Sequence, residues 1–256
     1  MRERGAAGWV LAASVVVPLS ILAVWSVADV WRAPALWPQE VGLRGFRVAS
    51  SASTRAGAGL VNSLVVALAA TLLALLLGWP AARALGSRQV RRPILASMLL
   101  AMPLLVPGYA TGTGLAEWFL RLGLADRLSG LVFAHLVYVL PYVVLLLAPA
   151  FGVEVQDLEE AARSLGAGWL RRLLLVTVPA VRPALAVAVL IGFLVSWSQY
   201  GTSLAVGGGL PMLPLVLLPF VPTDPQVAAA LSLLFLAPAV AALAVAVRAG
   251  RGPLGY

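Results

Sequence analysis

Three sets of side chains in this sequence could do chemistry. The first is charged: Asp157, Glu159, Glu160 and Arg163 interrupt an apolar sequence within the stretch QDLEEAARSLGAGWLRRLLLVTVPAVRP, residues 156–183. Leu158, Ala161, Ala162 and Leu165 recur there at i, i+3, i+4 and i+7, which predicts a helix with one apolar stripe and the charges largely opposite. Asp157 is placed to cap that helix, Glu160 to reach back to the cap, and Gly166 to end it. A second helical run groups Trp169, Leu170, Leu173 and Leu174 against Arg171 and Arg172, with Pro179 and Pro183 punctuating its end. Two short amphipathic helices joined by a glycine turn, set between long apolar spans, belong at a membrane surface.

The second set is Ser196, Gln199, Tyr200 and Ser203 in SWSQYGTS, again at i, i+3, i+4 and i+7, a hydrogen-bonding face over two helical turns. Polar groups are costly in hydrocarbon, so such a face either lines a pathway, the preferred reading, or bonds to neighbouring helices as packing glue. The third set, His135, Tyr138 and Tyr142, falls near one face of another apolar segment and joins the pathway-lining candidates. With no acidic residue nearby in sequence, His135 reads first as a satisfied packing group. Catalysis is not expected: the chain has one His, no Cys, no paired carboxylates inside an apolar span and no metal-ligand cluster. All eighteen basic residues are Arg, so the lysine of a phosphate-cradling P-loop is missing too.

The elements that must position these residues are membrane spans. Of 256 residues 61% are hydrophobic and 11% charged, with a mean hydropathy of +0.97, values that exclude an ordinary soluble domain. An all-α polytopic protein in a single domain is expected, with six transmembrane helices near 9–31, 59–85, 94–118, 131–153, 184–206 and 227–247 and a connecting loop over 154–183. The first span competes with a signal peptide ending near Ala33-Pro34-Ala35, but its apolar run is too long for one. Residues 32–58 read as an external loop, with Asp29 paired to Arg32 one turn on. The third span carries Pro103, Pro107, Gly108, Gly112 and Gly114; Gly108 and Gly112 permit close helix approach, while the prolines free carbonyls that something must satisfy. Twelve arginines, including Arg83, Arg163 and Arg251, fall on the side of the two termini and six on the other, which orients termini and loop toward the cytoplasm. The net charge of +8 is scattered between spans, not gathered into a face for nucleic acid.

Glu160-Ala161-Ala162, Gly166 after three intervening residues, and Val176 with Val178-Pro179 resemble the EAA loop of membrane permease subunits of ABC importers, with valines where that family usually has Ile and Leu. The resemblance extends to Asn62-Ser63, His135, Leu140-Pro141-Tyr142 and Ser196-Trp-Ser-Gln-Tyr-Gly, and looks closest to the group handling polyamines, ferric iron and thiamine. It implies a type I importer permease fold in a bacterial inner membrane. It also implies a coupling role for Asp157, Glu159, Glu160, Ala161, Ala162, Arg163, Leu165, Gly166 and Pro179 on a separate ATPase that holds ATP and Mg, with no cofactor on this chain. The expected partners are two ATPase subunits, a sibling permease in preference to an identical copy, an external solute-binding protein and the bilayer. The competing class is a self-sufficient secondary transporter or channel driven by an ion gradient.

Overall fold

The computed structural model describes residues 2–250; Met1 and the tail from Arg251 onward, including the last arginine of the charge tally, lie outside the described residues. The elements in order are α1 (Arg2–Ser26), β1 (Ala28–Val30), β2 (Glu40–Val41), α2 (Arg44–Ala49), α3 (Ala56–Gly86), α4 (Pro93–Ala101), α5 (Gly108–Arg121) and α6 (Leu128–Leu147). They continue with α7 (Val153–Ser164), α8 (Trp169–Arg172), α9 (Val178–Trp197), α10 (Tyr200–Val206), α11 (Leu213–Leu217) and α12 (Pro225–Gly250). The chain divides into two compact units: 1–61 with 211–238, and 62–210 with 239–256.

Among the described residues, four helices are long and apolar enough to cross a membrane: Ala56–Gly86, Leu128–Phe151, Trp169–Trp197 and Pro225–Gly250. Pro93–Leu105 and Gly108–Arg121 pass the same length and apolarity test only when taken together, and are bent by 93° at the break between them. The apolar part of α1, Ala12–Ser26, is shorter than a full crossing. The expected third span, 94–118, is therefore broken. Val106, the residue before Pro107, is pushed out of the helical region and is extended at φ −98° and ψ 129°. The expected fifth span, 184–206, is displaced: its helix starts much earlier and ends at Trp197, with α10 a separate piece.

The core of the second unit is built by α3, α6 and α9 on a rule of small against branched. Ala70, Ala74, Ala82 and Ala188 are fully buried beside Val139, Val143, Val144 and Val181. A Cβ on Gly192 would lie 3.2–3.3 Å from Val139, Thr71 and Val143, the close helix approach that small residues allow. At the other end of α3 the approach is tighter. A Cβ on Gly86 would sit 1.9 Å from the Ala148 carbonyl oxygen, and Trp79 meets Phe151 edge to face at 5.1 Å. The opposite face of α3 exposes Leu68, Leu72 and Leu76, a stripe suited to lipid or to another apolar helix.

In the first unit the loop expected over 32–58 contains structure. Strands β1 and β2 pair antiparallel, with Ala28 opposite Val41. Asp29 is thus on a strand, where it accepts a 2.5 Å hydrogen bond from Gln226 Nε2 in place of the expected pairing with Arg32 one helical turn on. A Cβ on Gly42 would strike the Asp29 carboxylate, so any larger residue there would have to displace that side chain. Ala49, Ala56, Val227, Ala230 and Leu231 form a small core. Beside it Arg44 donates from Nη1 and Nη2 to the two carboxylate oxygens of Asp224, at 2.7 and 2.8 Å.

Arg44 holds the Asp224 carboxyl below its ordinary value of 3.8, chiefly through that hydrogen bond, against an opposing effect of burial. The lowered native value means the pair's stabilisation is complete above about pH 4 and lost as the pH falls through the native value. Asp224→Asn should cost about 1 kcal/mol at neutral pH, a half-exposed bidentate pair being worth no more. Thermal melts in detergent between about pH 6 and pH 3 should show the wild type losing this advantage on the acid side, where the variant's curve is flatter.

Candidate functional site

The charged segment folds as a helix, but a longer and differently turned one than its spacing predicts. Helix α7 begins at Val153 with Gly152 extended before it, so Asp157 lies in the second turn and is not the cap. The extra turn is recruited by Val155, which is buried beside Phe151, and Gln156 Nε2 reaches back to the Phe151 carbonyl at 3.3 Å. Val155 and Glu159, at i and i+4, are the residues turned inward. The apolar stripe then points outward: Leu158 is 52% exposed, Leu165 88%, Ala161 is exposed and Ala162 partly so. Asp157, Glu160 and Arg163 are exposed as well, with Glu160 and Arg163 3.6 Å apart.

Gly166 ends α7 at φ +80°, a left-handed conformation that favours glycine. Its N–H donates to Arg163 O at 2.9 Å, and the Ala167 N–H donates to Ala162 O at 3.0 Å. These two bonds make a Schellman cap, satisfying carbonyls that the helix leaves open. No short second helix follows. Helix α8, a π-helical turn over Leu173–Thr177 and α9 run on as one span. Pro179 and Pro183 therefore lie inside a helix and do not end it. The wider π-turn immediately precedes Pro179, where an α-turn would crowd the proline ring against the carbonyl four residues back.

Glu159 is the most connected of the acidic residues in the segment. One carboxylate oxygen accepts from Arg83 in the last turn of α3, and the other accepts from Thr177 Oγ1 at 2.5 Å. Arg83 and Thr177 were not candidates from sequence. They stand 76 and 18 residues from Glu159, at separations no periodicity links.

The hydrogen-bonding face over 196–203 is not one helical face. The helix stops at Trp197, Ser198 and Gln199 leave the helical region, and α10 restarts at Tyr200. Ser196 and Ser203 nevertheless converge on His135, with Ser196 Oγ 2.8 Å from Nδ1 and Ser203 Oγ 3.0 Å from Nε2. Ser203 Oγ donates to Gln199 O at 2.5 Å, so it accepts from His135, and Ser196 donates to Nδ1. That assignment makes His135 the Nε2–H tautomer. All three side chains are buried, and their hydrogen bonds join α6, α9 and α10.

Gln199, Tyr200 and Tyr142 are partly exposed. Gln199 Oε1 accepts from Thr202 Oγ1 at 2.9 Å. Tyr138 turns its hydroxyl to the Val106 carbonyl at 2.8 Å and to Thr111 Oγ1 at 2.6 Å, at the break between α4 and α5. Backbone contact between α5 and α10 is close: a Cβ on Gly112 would lie 2.7 Å from that of Ala205, and one on Gly201 2.7 Å from the Tyr109 nitrogen. Among the described residues no group of three His, Cys, Asp or Glu could hold a metal ion.

No family model matches the chain. It is 33% identical over 177 residues to the ABC transporter permease protein ORF1 of Streptomyces antibioticus, covering 66% of this chain and 77% of that one. It is 32% identical over 216 residues to the molybdenum transport system permease protein ModB of Mycobacterium bovis, covering 77% of this chain and 80% of ModB. A trehalose transport system permease protein, SugB of Mycobacterium tuberculosis, is 30% identical over 143 residues, 55% of this chain and 51% of SugB. Among solved structures, a bacterial ABC transporter involved in import of the acidic polysaccharide alginate matches with a TM-score of 0.72 over 96% of both chains, at 19% identity, and so shares the fold. The membrane-crossing helices, the importer fold and relatives matched over more than three quarters of their length agree: this chain belongs to the permease subunits of ABC transporters.

Proposed function

We propose that this multi-pass importer permease takes up the work of ATP hydrolysis through the outward face of α7. The observation that carries the reading is the orientation of that helix. Leu158, Ala161 and Leu165, with Trp169 and Leu170 beyond the glycine turn, form an exposed apolar surface edged by Asp157, Glu160 and Arg163. An apolar centre with a charged rim is the anatomy of a protein interface, and the matching partner is the separate ATPase that holds ATP and Mg. In this reading Ala162 and Gly166 shape the helix end, and Pro179 stands where the loop enters the membrane. Nucleotide-driven closure of the ATPases then rocks the spans between inward and outward access.

The same proposal has six spans, with α1 as the first, both termini in the cytoplasm and the chain in a bacterial inner membrane. A sibling permease supplies the second half of the pathway, and an external binding protein delivers a small solute. Gln199, Tyr200 and Tyr142 are the pathway candidates with accessible surface, while His135, Tyr138, Ser196 and Ser203 hold the wall in shape. Relatives named for molybdenum and trehalose share this scaffold, which supports placing selectivity largely in the external binding protein; neither solute belongs to the polyamine, iron and thiamine group expected from sequence. A self-sufficient transporter driven by an ion gradient is not favoured by these relatives.

Co-purification with an ABC ATPase encoded beside this chain tests the reading. Leu158→Asp buries a charge at the apolar centre of the interface and should weaken the complex by about 2–4 kcal/mol. Gly166→Val forces a β-branched residue into positive φ, a cost of about 1–3 kcal/mol localised at the end of α7, because a Cβ there meets no neighbour within 4 Å. The variant should therefore stay folded while its ATPase binding or coupling falls. Wild-type affinity and ATP hydrolysis in both variants would count against the α7 face.

A further inference from the structure

We propose that Glu159 is the positioning residue that ties α7 to the membrane helices, a role distinct from that of its neighbour Glu160. This rests on the reading of α7 as the coupling helix. The two carboxylates are adjacent and chemically identical, yet Glu159 is 13% exposed and Glu160 73%. Glu160 pairs weakly with Arg163 on its own helix, which leaves it free for a partner. Glu159 spends both oxygens on other elements: Arg83 at the end of α3, and Thr177, 1% exposed, at the end of the π-turn that leads into α9.

The packing around it explains why a polar tie is needed. An open cleft of about 520 Å³ borders α7, lined among others by Trp79, Arg83, Phe151, Val155, Glu159 and Thr177. Across such a cleft apolar side chains transmit little, because their attraction fades within an ångström of lost contact. A charged hydrogen bond is directional and holds two elements in one geometry. Its α3 end is firmly anchored, since Gly86 abuts the Ala148 carbonyl and Trp79 meets Phe151. Its other end lies on a π-turn, a helix irregularity that recurs at functional sites. Movement of α7 thus reaches α3 and α9 through the Glu159 side chain, beside the apolar contact that Val155 makes in the core.

Arg83 is 43% exposed, so removing Glu159 leaves it accessible to water and not as an unpaired buried charge. The fold should survive the change, and the tie alone should be lost. The chain contains no cysteine, so spin labels can be placed at will. Labels on Glu154→Cys and Gln89→Cys, in the complex with its ATPase in lipid, report the distance between α7 and the end of α3 with and without ATP and Mg. The labelled parent should keep one narrow distance through the nucleotide cycle. Glu159→Ala and Arg83→Glu in that background should broaden it or make it shift with nucleotide, by roughly 2–5 Å, the range of helix displacements in switching proteins. The reciprocal pair Arg83→Glu with Glu159→Arg should return the narrow distance, a rescue that a merely space-filling role would not give. A narrow, nucleotide-independent distance in Glu159→Ala, or a reciprocal pair no better than its single variants, would overturn the tie. Both outcomes leave the coupling reading standing if the complex still binds and hydrolyses ATP, whereas a wild-type chain that binds no ATPase would remove both.

Discussion

Hydrocarbon offers no partner to a freed backbone carbonyl, and both interruptions in the membrane helices of the second unit are built around that fact. Where α4 gives way to α5 before Pro107, the Tyr138 hydroxyl meets the Val106 carbonyl. Where α9 gives way to α10, the Ser203 hydroxyl meets the Gln199 carbonyl and the Ser198 N–H bonds back to Leu194. Thr202 closes the circuit by donating to Gly108 O at 3.3 Å and to Gln199 Oε1. Each break is therefore held by protein groups from its own helix or from the helix facing it. Non-helical backbone at membrane depth is tolerated where it is enclosed in protein or faces water.

Glycine and alanine make that enclosure possible. Gly112 and Gly201 let α5 and α10 meet almost backbone to backbone, while Gly192 and the alanines of α3 do the same for α6 and α9. Without a hydrophobic driving force between helices in lipid, such close van der Waals packing and a few interhelical hydrogen bonds supply the association. His135, bonded on both ring nitrogens, is the clearest of those bonds, tying three helices at one point.

The segment from Val153 to Gly166 shows how an amphipathic pattern can be read correctly and turned the wrong way. Leu158, Ala161, Ala162 and Leu165 do share a stripe, and in an isolated soluble protein that stripe would be the buried side. Here Val155 and Glu159 are turned inward, and the stripe is exposed. Periodicity identifies a face but not its neighbour. In a subunit of a larger assembly, exposed apolar surface is the mark of a partner.

Local rules were enough for much of this protein. Composition and run length made it a membrane protein, Gly166 was legible as a helix stop because positive φ favours glycine, and the spacing around Glu160 carried the family resemblance. The Pro-rich third span announced freed carbonyls, though not a bend of 93°. Other features depended on distant residues: the start of α7 four residues before Asp157, the continuous helix through Pro179, the broken face at Ser198 and the partnership of Glu159 with Arg83 and Thr177. Helix propensity and spacing act over a few residues, so the sequence by itself determined which segments are helical and apolar. Which face meets which neighbour, and which carboxylate is drawn inward, is decided only when helices tens of residues apart pack and each buried polar group must find a partner.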